Sequence, residues 1–476
     1  MITPTQTTSA NTKADYNIGY ITLISFVAAM GGLLFGYDWV VIGGAKPFFQ
    51  PYFHIDPDVN AALSGWVNSC ALIGCLMGAL VAGGLSDKFG RKRLLILSAL
   101  LFLVTSLGNA LATTLTVFVA WRILGGVAIG LASALSPMYI AEISPAQMRG
   151  RLVSINQLTI VVGILAAQIV DWSLGKNLPG KSTASFIAES WYGLSCWRWM
   201  FGLTAVPSLL FFAGMFFVPE SPRWLIRKGL PARARDILAR IGGRNYAEAE
   251  VVDVQATLQK EEANCVRFSE LFEPKMRKVL LLGVALAVFQ QWCGINVIFN
   301  YAEDIFKGAG YDVSDVLINI ARTGGVNFVF TLLAFGFVDR LGRRKMLLFG
   351  SASLTVLYVI LGFSYHAHVT GWPMLVLVCA AIACYAISLA PVTWVVISEI
   401  FPNRLRGAAM SMAVAALWVA CFILTYTFPI LESWLHLSKT FGLYAGICVA
   451  GFLYIYWKLP ETKNQTLEDL ERQLVD

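Results

Sequence analysis

Two kinds of polar residue are out of place in this sequence, and both can do chemistry. Asp38, in Phe35-Gly36-Tyr37-Asp38, reads as the only acid deep within the apolar stretches of the N-terminal half. Arg122, in Trp121-Arg122-Ile123-Leu124-Gly125, is the only deep base placed to partner it. An isolated carboxylate in apolar surroundings is costly, so Asp38 must be protonated or paired with a cation at every stage of a working cycle. A pair that exchanges Arg122 for a proton couples proton uptake to some other movement; a fixed structural ion pair is the competing reading. The second kind is the amide. Gln290, Gln291, Asn296 and Asn300 crowd one apolar stretch, Gln157 and Gln168 lie in another, and Asn327 and Trp394 in two more. Amide side chains both donate and accept, so in a low-dielectric cavity with an aromatic face they can hold a neutral ligand that does the same. The same amides also suit bridging between neighbouring helices.

Helical geometry constrains these groups. Gln157 and Gln168 are three turns apart and share a face. On an unbroken helix at about 100° per residue, Asn296 points roughly 120–140° away from the two glutamines. If all face one cavity, the helix must break near Cys293-Gly294, and Gly294 permits it.

The elements that position these residues are membrane spans. The chain has 476 residues, 57% hydrophobic and 14% charged, with a mean hydropathy of +0.65. That balance excludes an ordinary soluble enzyme, since spans of about 20 residues consume nearly all the apolar material. Apolar runs are expected over 18–44, 61–84, 94–112, 115–140, 152–172, 199–218, 278–301, 316–338, 346–365, 373–398, 408–431 and 440–457, twelve in all. Of 36 Lys and Arg, only Lys46, Lys176, Lys181, Arg198, Lys307, Arg322 and Lys439 fall on one side of these spans, with Arg122 inside the fourth. The remainder lie on the other side, so the positive-inside rule predicts cytoplasmic termini. The net charge of +7 is thereby assigned to topology, not to nucleic-acid binding. The polar first 17 residues carry no cleavage pattern of a signal peptide. The nine cysteines show neither a disulfide framework nor a metal-ligand spacing, and the four histidines show none either.

The two halves repeat. Gly84-Leu-Ser-Asp87-Lys-Phe-Gly90-Arg91-Lys92-Arg93 recurs as Gly336-Phe-Val-Asp339-Arg-Leu-Gly342-Arg343-Arg344-Lys345. Glu142-Ile-Ser-Pro145 leading to Arg149 recurs as Glu399-Ile-Phe-Pro402 leading to Arg406, and Pro219-Glu220-Ser-Pro222-Arg223 is answered more loosely by Pro460-Glu461-Thr462-Lys463. Three paired motifs in one order imply two homologous six-helix halves, with a central site exposed alternately to the two sides. The expected division is 1–219, an intracellular helical linker over 220–277 that includes an amphipathic helix over 231–241, and 278–476. Asp87, Arg91, Glu142, Arg149, Glu220, Arg223, Asp339, Arg343, Glu399 and Arg406 are candidates for a charge network that gates the inner mouth; retention of the loops in the cytoplasm is the plainer alternative.

These motifs, with Gln290-Gln291 followed by Gly294-Ile-Asn296, resemble the sugar porter family of the major facilitator superfamily over essentially the whole chain. The resemblance is closer to bacterial sugar-proton symporters than to facilitative transporters. It implies an all-α integral membrane protein, two pseudo-symmetric six-helix bundles with short intracellular helices between them. It also implies sugar contacts at Gln157, Gln290, Gln291, Asn296, Asn327 and Trp394, with Phe35 and Trp418 as lesser wall residues, and proton coupling at Asp38, where facilitators carry Asn. The sequence departs from the family pattern at Asn300, where Tyr is usual; at Leu417, where an amide usually precedes the Trp; at Ala390, where Gly usually precedes the Pro; and at Ile164, where a bacterial symporter has Gln. Loss of an amide at Leu417 and gain of one at Asn300 leave the sugar open, pentose or hexose.

The resulting expectation is a proton-coupled sugar importer of the inner membrane, not an enzyme, whose partners are a monosaccharide, protons and lipid, with no cofactor beyond the coupling proton. A uniporter of the same fold is the alternative. A non-transporting sensor typically needs a longer cytoplasmic output segment than the residues after Trp457. Arg322, outside the family pattern, either faces the outer vestibule, pairs with Glu303 or Asp304, or snorkels to the interface.

Overall fold

The computed structural model describes residues 16–463 apart from 58, 180–181, 264–267 and 403–404. Among the described residues the regular structure is helical throughout. Eleven helices are long and apolar enough to cross a membrane, and the last of them, Arg406–Lys458, is interrupted at His436, whose φ of 59° and ψ of 162° are not helical. The chain reverses there. Ser438 Oγ donates to Gly362 O at the far end of Arg343–His366, whereas Glu461 Oε1 accepts the backbone N–H of Arg343 at its start. The segments on either side of His436 are therefore the eleventh and twelfth spans.

Most span limits follow hydropathy, and the differences have local causes. Span one, Ile18–Tyr52, outruns its expected end at 44 and carries Pro47 and Pro51 within it. Its last turns are buried by neighbours, so protein covers them where lipid does not. Span six, Tyr192–Phe217, starts earlier than 199 with a π-helical turn at Tyr192–Cys196, hidden in the sequence by polar Ser195 and Arg198. Span seven, Pro274–Asn300, breaks at Gly294 (φ 87°), and span ten, Trp372–Ile400, breaks at Ser388 (φ −121°, ψ −85°).

Helix contact in apolar surroundings depends on close approach, which small residues permit. Spans two and four meet through Gly74 and Gly78 on one side and Gly126 and Gly130 on the other; a Cβ at Gly126 would lie 1.9 Å from Ala71 O. Spans one and five meet in the same way, Gly36 lying against Ile160 O and Gly163 against Leu33 O. The halves join where span two packs on span eleven and span five on span eight, with Gly65 against Tyr426 O and Gly324 against the Gln168 side chain.

Between spans six and seven lie the helices Pro222–Arg227 and Pro231–Ala263, the latter kinked at Gly242-Gly243. The expected helix over 231–241 is the part before the kink. It buries Ala234, Leu238 and Ile241, with Ile237 partly covered. It is tied to the start of span one by the Asn17 N–H, which donates to Ile241 O (2.8 Å). After the kink, Tyr246 meets Tyr16 edge-on with ring centres 5.4 Å apart.

Candidate functional site

The deepest charges meet as expected. Asp38 and Arg122 are 6% and 3% exposed, and Arg122 Nη1 donates to both Asp38 oxygens at 3.0 Å. The guanidinium also lies over the Phe201 ring, 5.3 Å from its centre. One nitrogen thus serves the whole carboxylate, in place of the two-nitrogen fork that arginine can offer.

The uniqueness of Asp38 needs correction. Span five, Arg149–Gly175, runs past its expected end at 172 and encloses Asp171, which is fully buried with neither carboxylate oxygen hydrogen-bonded. The Asp171 carboxyl fills the space beside Gly44, where a Cβ would come within 2.2 Å of it. A span boundary drawn from hydropathy alone placed this acid at a helix end.

In span seven the break does what the amide spacing requires. Gly294 adopts the left-handed conformation, and a Cβ there would lie 2.9 Å from the Tyr444 ring. Across the break, Asn296 Nδ2 donates to Gln291 Oε1 and Gln291 Nε2 to Gln290 Oε1 (3.0 Å). Gln290, Gln291, Asn296 and Asn300 are all at most 8% exposed. Gln157 is half-buried, Asn327 buried, and Trp394 exposed (37%). Gln168 packs on Gly324 of span eight, its Oε1 buried without a hydrogen-bond partner.

Phe35 and Trp418, from opposite halves, lie 6.0 Å apart and share Trp39, whose ring is 5.9 Å from Phe35 and 6.0 Å from Trp418. Trp39 was not singled out by the sequence, although its place beside Asp38 is the available signal. Asp38, Trp39, Asn68, Arg122 and Asn300 line one small cavity, so an amide of span seven reaches the ion pair of spans one and four.

At the basic ends of the spans, the two repeats build one device twice. Gly90 (φ 97°) and Gly342 (φ 91°) open spans three and nine, and a carboxylate seats against each where a Cβ would collide: Glu220 at Gly90 and Glu461 at Gly342. Glu220 Oε1 accepts the N–H groups of Arg91 (3.0 Å) and Lys92 (3.1 Å), and Glu461 Oε1 that of Arg343 (2.8 Å). These are anions at helix N-termini, where unpaired amides and the helix dipole favour them. Arg91 also pairs with Asp87 (3.1 Å) and Glu142 (3.0 Å), Arg227 with Asp87 (3.1 Å), and Arg343 with Glu399 (3.4 Å). The Arg91 and Arg343 pairs each join residues of one half, and Arg227 ties the linker to the first half.

The remaining gate candidates are placed differently from a single ring of charges. Arg406 donates to Phe401 O (3.3 Å), and Arg149 faces Glu250 of the linker. Arg223 begins the helix Pro222–Arg227, and the side chain of Asp339 lies outside the described residues. Glu461, outside the gate set, is the missing counterpart of Glu220. Burial and the neighbouring Asp253 push the Glu250 carboxyl above its ordinary pKa, against the opposing pull of Arg149 and a hydrogen bond with Tyr246.

The opposite ends hold a contact the sequence did not reveal. Lys46 of span one is 1% exposed, forms an ion pair with Asp304 just beyond span seven, and lies 5.0 Å from the centre of the Tyr301 ring. Nearby, Gly43 packs directly on Phe299 O. The two halves are thus closed against each other at this end. Asp304 is taken by Lys46 and Glu303 by Lys307, while Arg322 is exposed and donates to Asn319 Oδ1 (2.8 Å). Arg322 is thus not the partner of Glu303 or Asp304.

The geometry has close relatives. The family model described as sugar (and other) transporter matches residues 24–474. The arabinose-proton symporter of Bacillus subtilis (strain 168) is 36% identical over 472 residues, covering 99% of this chain and 98% of that protein. The D-xylose-proton symporter of Escherichia coli (strain K12) is 36% identical over 490 residues, 96% of each. Among solved structures, the xylose transporter of Escherichia coli in a partially occluded inward-open conformation matches with a TM-score of 0.83 at 33% identity, covering 94% of this chain and all of that one. The same proton:xylose symporter bound to 6-bromo-6-deoxy-D-glucose matches at 0.79 and 35% identity, covering 96% of this chain and all of that one. With the whole helical core matched in both sequence and shape, this chain belongs to the sugar (and other) transporter family and is a multi-pass membrane protein of the major facilitator fold.

Proposed function

We propose that the protein carries a monosaccharide, pentose or hexose, into the cell together with protons, by alternating access of a central site. The observation that carries this reading is the buried Asp38–Arg122 pair sharing one cavity with Asn300 of the other half. Neutralising Asp38 with a proton frees Arg122, and the pair is placed where rearrangement of the halves is felt. Relatives named as arabinose-proton and D-xylose-proton symporters support the same assignment, and an acid at Asp38 disfavours the uniporter alternative.

In this reading the sugar lies among Gln157, Gln290, Gln291, Asn296, Asn300, Asn327 and Trp394, with Phe35 and Trp418 closing the aromatic wall. Residues 1–219 and 278–476 act as the two rocking bodies, joined by 220–277. Asp87, Arg91, Glu142, Arg149, Glu220, Arg223, Asp339, Arg343, Glu399 and Arg406 regulate the inner mouth, each half bracing its own helix ends. The protein resides in the inner membrane with both termini in the cytoplasm, as the distribution of Lys and Arg favours.

One charge moved through 100 mV provides ~2.3 kcal/mol. At ~1.4 kcal/mol per tenfold, that supports about 50-fold sugar accumulation. The test is sugar-induced alkalinisation in de-energised cells combined with Asp38→Asn. The substitution is expected to abolish uphill uptake and sugar-driven proton uptake while exchange continues. Undiminished accumulation by Asp38→Asn refutes the coupling assignment, and a panel of unlabelled monosaccharides competing for uptake identifies the sugar.

A further inference from the structure

The cavity beside the ion pair is about 10 Å³, the room of roughly one water molecule. Its lining includes Asp38, Trp39, Asn68, Ala71, Arg122 and Asn300. Two of its lining residues carry buried polar atoms with no hydrogen-bond partner, Arg122 Nε, a donor, and Asn68 Oδ1, an acceptor. Asn68 is otherwise anchored, its Nδ2 donating to Ser64 O (2.9 Å), so its oxygen has a defined direction. Because Arg122 spends only Nη1 on Asp38, its Nε remains available. Buried polar atoms without partners are uncommon, and a donor and an acceptor around a water-sized space form a hydration site.

We propose that Asn68 and Arg122 hold one water in this cavity and that this water is the proton donor to Asp38, with Asn300 linking the relay to span seven. The inference rests on the symport reading and deepens it. The transfer is concerted: as the water takes a proton from solvent water that reaches it when the site opens, one of its own O–H bonds breaks, the electron pair stays on the water oxygen, and a new O–H bond forms on an Asp38 oxygen. The water is regenerated, Asp38 becomes neutral, and Arg122 loses its anion. The other titratable groups around this space are Tyr37, Cys70, Cys75, Tyr301 and Cys421, while the buried Asp171 neighbours Tyr37 without lining the cavity. Thiols and phenols ordinarily ionise only above about pH 8, which leaves Asp38 as the proton carrier. Asn68 is thus a positioning residue for the water, and Trp39, between the cavity and the Phe35–Trp418 wall, separates it from the sugar space.

The experiment measures three quantities in proteoliposomes: uphill sugar accumulation, protons moved per sugar, and sugar exchange without a proton gradient. Wild type is compared with Asn68→Leu, which removes the acceptor; Asn68→Ser, which keeps one; and Ala71→Val, which fills the cavity without touching a polar group. Asn68→Leu and Ala71→Val are expected to lose at least tenfold in uphill rate, with exchange reduced far less. Asn68→Ser should recover most of the uphill rate, and wild-type uphill transport should slow in deuterated water more than exchange does. A merely structural role of Asn68 would lower both activities together. Uphill rates in both Asn68→Leu and Ala71→Val equal to wild type, or an equal loss of exchange and uphill transport in both, overturns the proposal. Failure of the symport reading is seen separately, as absence of sugar-driven proton movement in wild type.

Discussion

Substituting Asn for Asp304 isolates the contact that closes the halves at the end opposite the basic loops. The Lys46 side chain is 2% exposed and that of Asp304 18%, so the substitution strands a buried ammonium and leaves an uncharged amide facing it. Breaking a buried pair by removing one partner costs about 3–5 kcal/mol. Asp304 keeps some solvent and the Tyr301 ring still faces the ammonium, which argues for the lower figure, ~3 kcal/mol. When this end opens, Lys46 regains water, so the cost falls on the closed state alone. At ~1.4 kcal/mol per tenfold, the closed-to-open ratio should fall by roughly 100-fold. Spin labels at Val59 and Ala367, exposed on connections beyond this end in the two halves, report the distance between them. Electron–electron dipolar spectroscopy should show a short-distance majority in the parent and a larger long-distance fraction in Asp304→Asn. The double substitution Lys46→Met/Asp304→Leu, apolar on both sides, should return the population toward closed. A distance distribution unchanged by Asp304→Asn refutes the reasoning.

Three further outcomes are expected. Gly294→Ala forces a side chain into a left-handed backbone and against Tyr444, a strain of about 1–3 kcal/mol that should straighten span seven and weaken sugar binding about tenfold or more; unchanged affinity in a competition assay contradicts the role of the break. Glu220→Ala and Glu461→Ala each remove a carboxylate from a helix N-terminus and should each cost about 1 kcal/mol in thermal unfolding, close to additively because the sites lie in different halves. The raised pKa of Glu250 means that docking of the linker helix favours its protonated form. Docking is therefore strongest below the ordinary Glu value of about 4.3 and weakens as pH rises through the raised value. Hydrogen-exchange protection in residues 244–263, taken relative to the intrinsic exchange rate at each pH, should fall with pH across that window in wild type, and this dependence should flatten in Glu250→Gln.

The architecture was legible because its causes are local. Hydropathy over about 20 residues marks a span wherever the chain places it. The repeat was equally legible, since matched spacing needs no structure to be seen. Its meaning was not: the carboxylates of Glu220 and Glu461 reach Gly90 and Gly342 across long stretches of chain, and only packing brings them there. For span seven, the 100° step per residue forced a choice between separate amide faces and a broken helix, and Gly294 supplies the break.

By itself the sequence determined the number of spans, their order, the Asp38–Arg122 pairing and the amides of span seven, because each follows from a residue type set against an apolar background. The tertiary structure alone decided that Lys46 meets Asp304, that Asp171 lies within the protein, and that Asn68, Trp39 and Asn300 share a cavity with the ion pair. Those facts depend on which helix faces meet, and the periodicity of one helix carries no information about the rotation of its neighbour. Closure of one end of the molecule is decided in the same way, by contacts between the halves.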